Sequence, residues 1–152
     1  MTFAEQPRGI FRVHCDQRGR LRLPTSCCQF LVRIGEGRVF ITSLELGQGR
    51  IYPLPVWREN EALFENLHDQ TSSQIQFLAN LNGAETNLDS NGRLELPSMV
   101  IEILGGSSGL LYLWSFRGCI RIFNQTIYEE TKQRAIENLP AKVLLMESRG
   151  LR

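Results

Sequence analysis

Short runs of alternating apolar and polar residues, separated by a glycine-containing turn, mark the start of the chain. Residues 10–13 (IFRV) and 21–23 (LRL) alternate with the two-residue period of half-buried strands. Between them, Asp16 can accept hydrogen bonds from backbone amides, and Gly19 can supply the positive φ of a tight turn. This pattern predicts a β-hairpin whose strands are residues 10–13 and 21–23.

The same turn motif occurs a second time, 73 residues further along the chain. Residues 16–24 are DQRGRLRLP and residues 89–97 are DSNGRLELP, so six of the nine positions carry the same residue. Asp89 and Gly92 take the places of Asp16 and Gly19, and we assign all four a structural role in the turns. An internal repeat of this kind indicates that one supersecondary unit is used twice.

The repeat extends beyond the motif into two units of roughly seventy residues each. Each unit has the order strand, turn, strand, short helix, hairpin, longer helix, and Pro24 and Pro97 open the short helices. The matched segments are residues 28–31 with 101–104, residues 39–41 with 110–112, residues 51–52 with 122–123, and Trp57 with Tyr128.

Three amphipathic segments predict longer helices at residues 55–68, 71–81 and 126–139. Their apolar faces contain Trp57, Phe64 and Leu67 in the first, Ile75, Leu78 and Ala79 in the second, and Ile127, Thr131, Ala135 and Leu139 in the third. Either the rest of the chain or a neighbouring subunit could cover these faces. The short apolar run at residues 143–146 is compatible with an extra strand or with a docking tail.

The net charge of +1 hides an uneven distribution of basic residues. Residues 1–22 contain five arginines and two acids, a net charge of +3, whereas residues 23–83 carry −2 and residues 84–152 are neutral. Arginine accounts for 15 of the 17 basic residues. Its planar guanidinium suits bidentate contacts to phosphate or guanine, although genomic composition can also enrich arginine.

The first copy of the motif carries more arginines than its turn needs. Arg18, Arg20 and Arg22 have the spacing of one strand face, and with Arg12 they predict a cationic tip able to bind DNA phosphates. The alternative for Arg20 and Arg93 is that they only pair with the aspartate of their own turn. Because both copies keep the aspartate and this arginine, some bracing of the turns is expected.

The chain shows no pattern typical of an enzyme or of a cofactor site. It lacks the GxxxxGK[ST] and GxGxxG motifs, and its histidines and cysteines lack the CxxC or HxxxH spacing of zinc sites. Cys28 aligns with Ile101 and is expected to be a small buried residue. We therefore expect no catalytic residue, metal, cofactor or small-molecule substrate. Since no apolar run reaches membrane-spanning length, we also expect a cytoplasmic protein with reduced thiols.

Together these residues resemble the MraZ family of the AbrB, MazE and SpoVT superfamily. The marks are the doubled DxxGRLxLP, Arg8-Gly9 before its first copy, YPLPVW at residues 52–57, and Ala84-Glu85 before its second copy. The resemblance implies an α+β, mainly β fold, in which two tandem AbrB-like swapped-hairpin halves form a pseudo-two-fold barrel flanked by amphipathic helices. It divides the chain into a first repeat (8–70), a helical connector (71–83), a second repeat (84–139) and a tail (140–152).

The resemblance also implies a function. Such a protein is a nucleoid-associated, DNA-binding transcriptional regulator that recognises short direct repeats upstream of the division and cell-wall gene cluster as a ring-like homo-oligomer. The resemblance places the DNA-facing arginines at Arg20 and Arg93. Asn91 and Glu95 depart from the basic Arg18 and Arg22 of the first copy, so we predict that the first copy leads in DNA contact.

The alternative interpretation is an oligomeric protein-interaction or antitoxin-like barrel without strong DNA binding. The near-neutral net charge, Asn91 and Glu95 favour it.

Overall fold

The computed structural model describes residues 6–106 and 109–152, which form eight strands and six helices. The strands are β1 (Ile10–His14), β2 (Arg20–Arg22), β3 (Arg38–Thr42), β4 (Gln48–Pro53), β5 (Ala84–Asn87), β6 (Arg93–Glu95), β7 (Leu110–Phe116) and β8 (Cys119–Asn124). The helices are α1 (Thr25–Gly35), α2 (Leu54–Leu67), α3 (Gln70–Asn82), α4 (Ser98–Leu104), α5 (Gln125–Ile136) and α6 (Leu139–Ser148).

The larger sheet has a strand order that reverses when the two repeats are exchanged. Its six strands run β1-β7-β8-β4-β3-β5, and all neighbours are antiparallel. Replacing each strand by its counterpart from the other repeat gives the same order read backwards. β2 and β6 form a separate two-stranded antiparallel ribbon. The fold is therefore a mixture of helices and antiparallel sheet, as the α+β expectation requires.

The hairpin expected from residues 10–13 and 21–23 is reduced to a single bridge between Cys15 and Leu21. β1 pairs along its whole length with β7, from Ile10 opposite Trp114 to His14 opposite Leu110. The hairpin prediction was wrong because it considered only neighbours in sequence. β7 belongs to the other repeat, and it pairs with β1 over all five residues of that strand.

One hydrophobic core joins both repeats. It lies between the inner face of the larger sheet and a layer made of the ribbon, α1 and α4. Its members of lowest exposure are Cys27, Phe30, Leu31, Val39, Ile41, Ile51, Val100, Leu113, Ile120 and Ile122, together with Leu21 and Leu94 of the ribbon. Because the repeats share this core, neither unit buries its apolar surface alone.

The structure corrects the repeat alignment of β3 and β7 by one residue. Phe40 lies opposite Tyr52, and Tyr112 lies opposite Phe123, so Phe40 corresponds to Tyr112 and not to Leu111. A shift of one residue moves every side chain to the other face of a sheet. The alignment by sequence was wrong here because β7 carries apolar residues on both faces, which removes the alternation that would have fixed the register.

Helices cover the outer face of the larger sheet unequally. On the first repeat, Trp57 of α2 stacks on Phe40 with 4.5 Å between ring centroids, and α3 adds the fully buried Ala79. On the second repeat, Tyr128 of α5 stacks on Tyr112 at 3.7 Å. No residue of α5 is fully buried, so the outer face of the second repeat is the less protected one.

The helices expected at residues 55–68, 71–81 and 126–139 correspond to α2, α3 and α5, but the burial of each differs from the prediction. On the predicted apolar face of α3, Ala79 is buried whereas Ile75 is exposed. Leu67 is half exposed, because it lies one turn beyond Phe64, which packs against the aromatic cluster. Thr131, Ala135 and Leu139 are exposed, because no second helix lies beside α5 on the sheet.

The C-terminal tail is helical. Residues 139–148 form α6, so the alternative of an extra strand for residues 143–146 is wrong. The expectation of a mainly β protein is also wrong, because α2, α3, α5 and α6 have 10 to 14 residues each whereas the strands have three to seven. Helical residues consequently outnumber strand residues in the described part of the chain.

Candidate nucleic-acid interface

The two copies of the repeated motif meet in the ribbon. Leu21 and Leu94 lie opposite each other and both have 0% exposure. Because side chains alternate along a strand, the residues on either side of these leucines point away from the core. We call this outward surface the ribbon face, and it consists of Arg20, Arg22, Arg93 and Glu95.

Two arginines occupy directly opposed positions on the ribbon face. Arg22 pairs with Arg93, whereas Arg20 pairs with Glu95. Like charges opposite each other on neighbouring strands cost the fold roughly 0.2–1 kcal/mol. A polyanion bound against Arg22 and Arg93 turns this cost into a favourable contact, because guanidinium groups form strong, often bidentate hydrogen bonds with phosphate.

The first turn is built around the carboxylate of Asp16. Its Oδ1 accepts hydrogen bonds from the backbone N–H groups of Arg18 and Arg20, each at 2.9 Å. Its Oδ2 accepts from Nε of Arg20 at 3.2 Å. These hydrogen bonds, foremost the one from the Arg20 backbone, lower the pKa of Asp16. Arg20 therefore braces its turn, and Gly19, with φ of +78°, supplies the left-handed conformation.

The second turn repeats the backbone geometry but not the side-chain ion pair. Oδ1 of Asp89 accepts from the backbone N–H groups of Asn91 at 2.8 Å and Arg93 at 2.9 Å, and the latter bond is the main cause of the lowered Asp89 pKa. Gly92 has φ of +75°. Within residues 6–106 and 109–152, the Arg93 guanidinium makes no ion pair like that of Arg20 with Asp16.

Each turn is also fixed by the other copy of the motif. The backbone N–H of Leu23 donates to the carbonyl oxygen of Gly92 at 2.9 Å, and the equivalent bond from Leu96 to Gly19 measures 2.8 Å. Ile101 of α4 packs directly over Gly19. The two copies of the motif thus hold each other at both ends of the ribbon, which keeps its arginines in a defined arrangement.

The structure separates two of the predicted contact residues from the ribbon face. Arg18 lies in the first turn, before β2 begins, so the expected row of three arginines on one strand is limited to Arg20 and Arg22. Arg12 lies opposite Tyr112 and points to the outer face of the larger sheet. The expectation of a cationic tip that includes Arg12 is wrong, because β1 joins the larger sheet instead of pairing with β2.

The opposition of Arg22 and Arg93 was missed by the sequence reasoning. Alignment of the repeats matches Arg22 with Glu95, but antiparallel pairing centred on Leu21 and Leu94 brings Arg22 to Arg93. The repeat itself could have predicted this opposition. Two equivalent strands that are related by a two-fold axis pair antiparallel about a common central residue. The ribbon face therefore draws on both copies of the motif.

The four thiols are poor nucleophiles at neutral pH. Burial raises the pKa of Cys27 and of Cys119 to about 12, and it also raises the pKa of Cys15 and Cys28. In the described part of the chain, no three His, Cys, Asp or Glu side chains are grouped to hold a metal ion. None of the described helices has the length and apolar character required to cross a membrane.

Comparison with known proteins identifies several similar sequences, although no protein-family model matches the chain. The transcriptional regulator MraZ of Thiobacillus denitrificans is 32% identical over 120 residues, covering 71% of this chain and 80% of its own length. The MraZ of Serratia proteamaculans is 29% identical over 129 residues, covering 82% and 84%. The MraZ of Erwinia tasmaniensis is 26% identical over 144 residues, covering 92% and 94%.

Proposed function

The chain belongs to the MraZ family of transcriptional regulators, and we propose that it regulates transcription by binding double-stranded DNA through the ribbon face. The observation that supports this most directly is the opposition of Arg22 and Arg93 on an exposed two-stranded ribbon. A ribbon of this kind fits into the major groove of B-DNA, where arginine side chains reach phosphates and guanine edges.

The charge of the ribbon face supports the same proposal. It presents three guanidinium groups and one carboxylate, on a protein whose net charge is only +1. Each phosphate that these arginines neutralise releases counterions, so binding weakens as salt rises. Arg18, exposed in the adjoining turn, extends the basic surface beyond the strand. Arg12 lies outside it.

An oligomer makes such small ribbons effective. One ribbon makes few contacts, but several ribbons on one assembly multiply their affinities when the DNA contains repeated sites. We propose a ring-like homo-oligomer that acts in the cytoplasm at the nucleoid and binds short direct repeats upstream of the division and cell-wall gene cluster. The proposed role involves no enzymatic activity, cofactor or small-molecule substrate.

The reversed strand order of the larger sheet supports the proposed internal architecture. We infer two swapped-hairpin halves related by a pseudo-two-fold axis, with repeats at residues 8–70 and 84–139, a connector at 71–83 and a tail at 140–152. The pairings of β1 with β7 and of β5 with β3 are those expected when each half lends its first strand to the other.

A fluorescence anisotropy titration with the DNA upstream of the chain's own gene tests the proposed function. We expect Arg22→Ala and Arg93→Ala each to weaken binding and to reduce the slope of log affinity against log salt by about one. Arg134→Ala is the matched control, because Arg134 is exposed on α5, on the other side of the larger sheet. Unchanged affinity and slope in both ribbon variants contradict the proposal.

The same preparation distinguishes the alternative function. A stoichiometric protein that co-purifies with the chain, combined with no salt-sensitive binding to any duplex, supports a protein-interaction barrel. The pairing of Arg20 with Glu95 and Asp16, which partly neutralises the ribbon face, is the observation that favours this alternative.

A further inference from the structure

The outer face of the second repeat has a groove where the first repeat has a helix. The groove has a volume of about 350 Å³, and Ile10, Trp114, Phe123 and Ile136 contribute to its lining. The side chains that line it are mostly apolar. The groove lies between α5 and the β1 edge of the larger sheet.

The first repeat shows what occupies the equivalent place. There, α3 lies against β3, Ala79 is fully buried, and Oγ1 of Thr42 donates to the Ala79 carbonyl oxygen at 2.7 Å. The strand register makes Trp114 the counterpart of Thr42, because both follow by two residues the matched pair Phe40 and Tyr112. The groove at Trp114 is thus the position that α3 fills in the first repeat.

α6 is the counterpart of α3 by its place in the chain. Two residues separate α2 from α3, and two residues separate α5 from α6. Unlike α3, α6 has no buried residue. Its four consecutive apolar residues at 143–146 span most of the helix circumference, and they are 38% to 68% exposed. Apolar side chains spread this widely around a helix are normally buried, at least in part.

The chain holds its own α6 away from its own groove. Asn138, just before α6, is left-handed with φ of +52°. Nζ of Lys142 donates to the carbonyl oxygens of Arg134 at 2.8 Å and Ala135 at 3.4 Å, at the C-terminal end of α5. These contacts place α6 beyond the end of α5, with its apolar side chains outward.

We propose that α6 of one copy docks into this groove on a second copy of the chain. The docked helix lies on β7 as α3 lies on β3. The outer face of the second repeat is then covered by a helix, as the outer face of the first repeat already is. The surface that one docked helix of ten residues buries is smaller than the roughly 1,600 Å² of a standard interface. Reciprocal or successive exchange of α6, however, provides two such contacts per copy. The inference rests on the oligomer of the proposed function, and it names the segment that forms it.

Light scattering across a concentration series tests the α6 side of the contact. Leu144→Glu is expected to raise the midpoint concentration of assembly about tenfold or more, because it places a charge in a buried interface. Leu46→Glu is the matched control, since Leu46 is 85% exposed and lies outside the groove. Because Leu144 is also exposed in the single chain, Leu144→Glu leaves the fold intact, which circular dichroism checks. Unchanged assembly of folded Leu144→Glu overturns the inference.

Disulfide cross-linking identifies the occupant of the groove. In a Cys28→Ser background, Ile10→Cys chains mixed with Leu145→Cys chains are expected to form a linked heterodimer. If a single chain with both substitutions instead links internally at dilutions where it is monomeric, its own α6 fills the groove and the inference is overturned. Absence of any specific link also overturns it.

The DNA experiment separates the two proposals. A parent chain that assembles through α6 but shows no salt-sensitive DNA binding contradicts the proposed function and leaves the α6 contact intact. A parent that assembles and binds DNA, but whose assembly is unaffected by Leu144→Glu, contradicts only the α6 contact.

Discussion

Glu95→Arg is predicted to strengthen DNA binding, although it removes the cross-strand partner of Arg20. Glu95 lies opposite Arg20 on the ribbon face and borders the same cleft as Arg18. The substitution raises the charge of the four-residue ribbon face by two and completes a set of four arginines. One additional charge-assisted contact is worth about 1–2 kcal/mol, which corresponds to roughly 5- to 30-fold tighter binding. The salt slope should steepen by about 0.9 for each phosphate gained.

The same substitution is predicted to lower stability slightly. It removes the cross-strand pair with Arg20 and places like charges opposite each other, at a cost of roughly 0.2–1 kcal/mol. Urea denaturation measures this cost, and anisotropy titration at several salt concentrations measures the gain in binding.

Glu130→Arg is the matched control for the binding gain. It makes the same charge change on an exposed site of α5, beyond the larger sheet from the ribbon. Charges further than about 8–10 Å from the DNA are largely screened at physiological salt. Glu95→Arg binding no more tightly than Glu130→Arg refutes the role of the ribbon face.

Three further predictions concern the support of the ribbon. Leu21→Ala should lower the free energy of unfolding by about 2–5 kcal/mol, whereas Leu46→Ala at an exposed site should change it by less than about 0.5 kcal/mol in the same urea titration. Gly19→Ala should lower the free energy of unfolding by about 1–3 kcal/mol, because φ is +78° and a Cβ would lie 2.5 Å from Cδ1 of Ile101. The double variant Gly19→Ala, Ile101→Val lacks this Cδ1 atom and should recover part of the lost stability. The lowered pKa of Asp16 means that its ionised carboxylate stabilises the fold at pH values above its ordinary pKa of 3.8. The difference in unfolding free energy between the parent and Asp16→Asn should therefore shrink as the pH falls below 3.8.

Local features of the fold could be predicted from the sequence because their causes are local. The tight turns follow from Asp and Gly at fixed spacing, and α2 follows from the spacing of Trp57 and Phe64. Leu21 and Leu94 stand out as buried residues because each is flanked by charged residues in a short alternating run.

The strand pairing could not be predicted in the same way, because it depends on contacts between distant parts of the chain. The sequences of residues 10–13 and 21–23 suit pairing with each other in a local hairpin as well as they suit pairing with the strands that they contact in the structure. Only the shared core decides between them, since it places β1 beside β7 and β2 beside β6. The placement of Arg12 was wrong for the same reason.

The tail shows a further limit of pattern reasoning. Its four consecutive apolar residues at 143–146 have neither the two-residue period of a strand nor a one-sided helical stripe. A run of this kind indicates burial without specifying the element. The structure shows that the element is a helix, and that its apolar side chains are exposed in the single chain.

Photo-cross-linking to DNA tests the central claim most directly. A photoreactive amino acid at Gln17 or Asn91, exposed in the two turns beside the ribbon face, is predicted to cross-link to a duplex containing the upstream repeats. The same group at Gln133, exposed on α5, is predicted to give no cross-link. Cross-links from Gln133 with none from either turn would contradict DNA binding through the ribbon face.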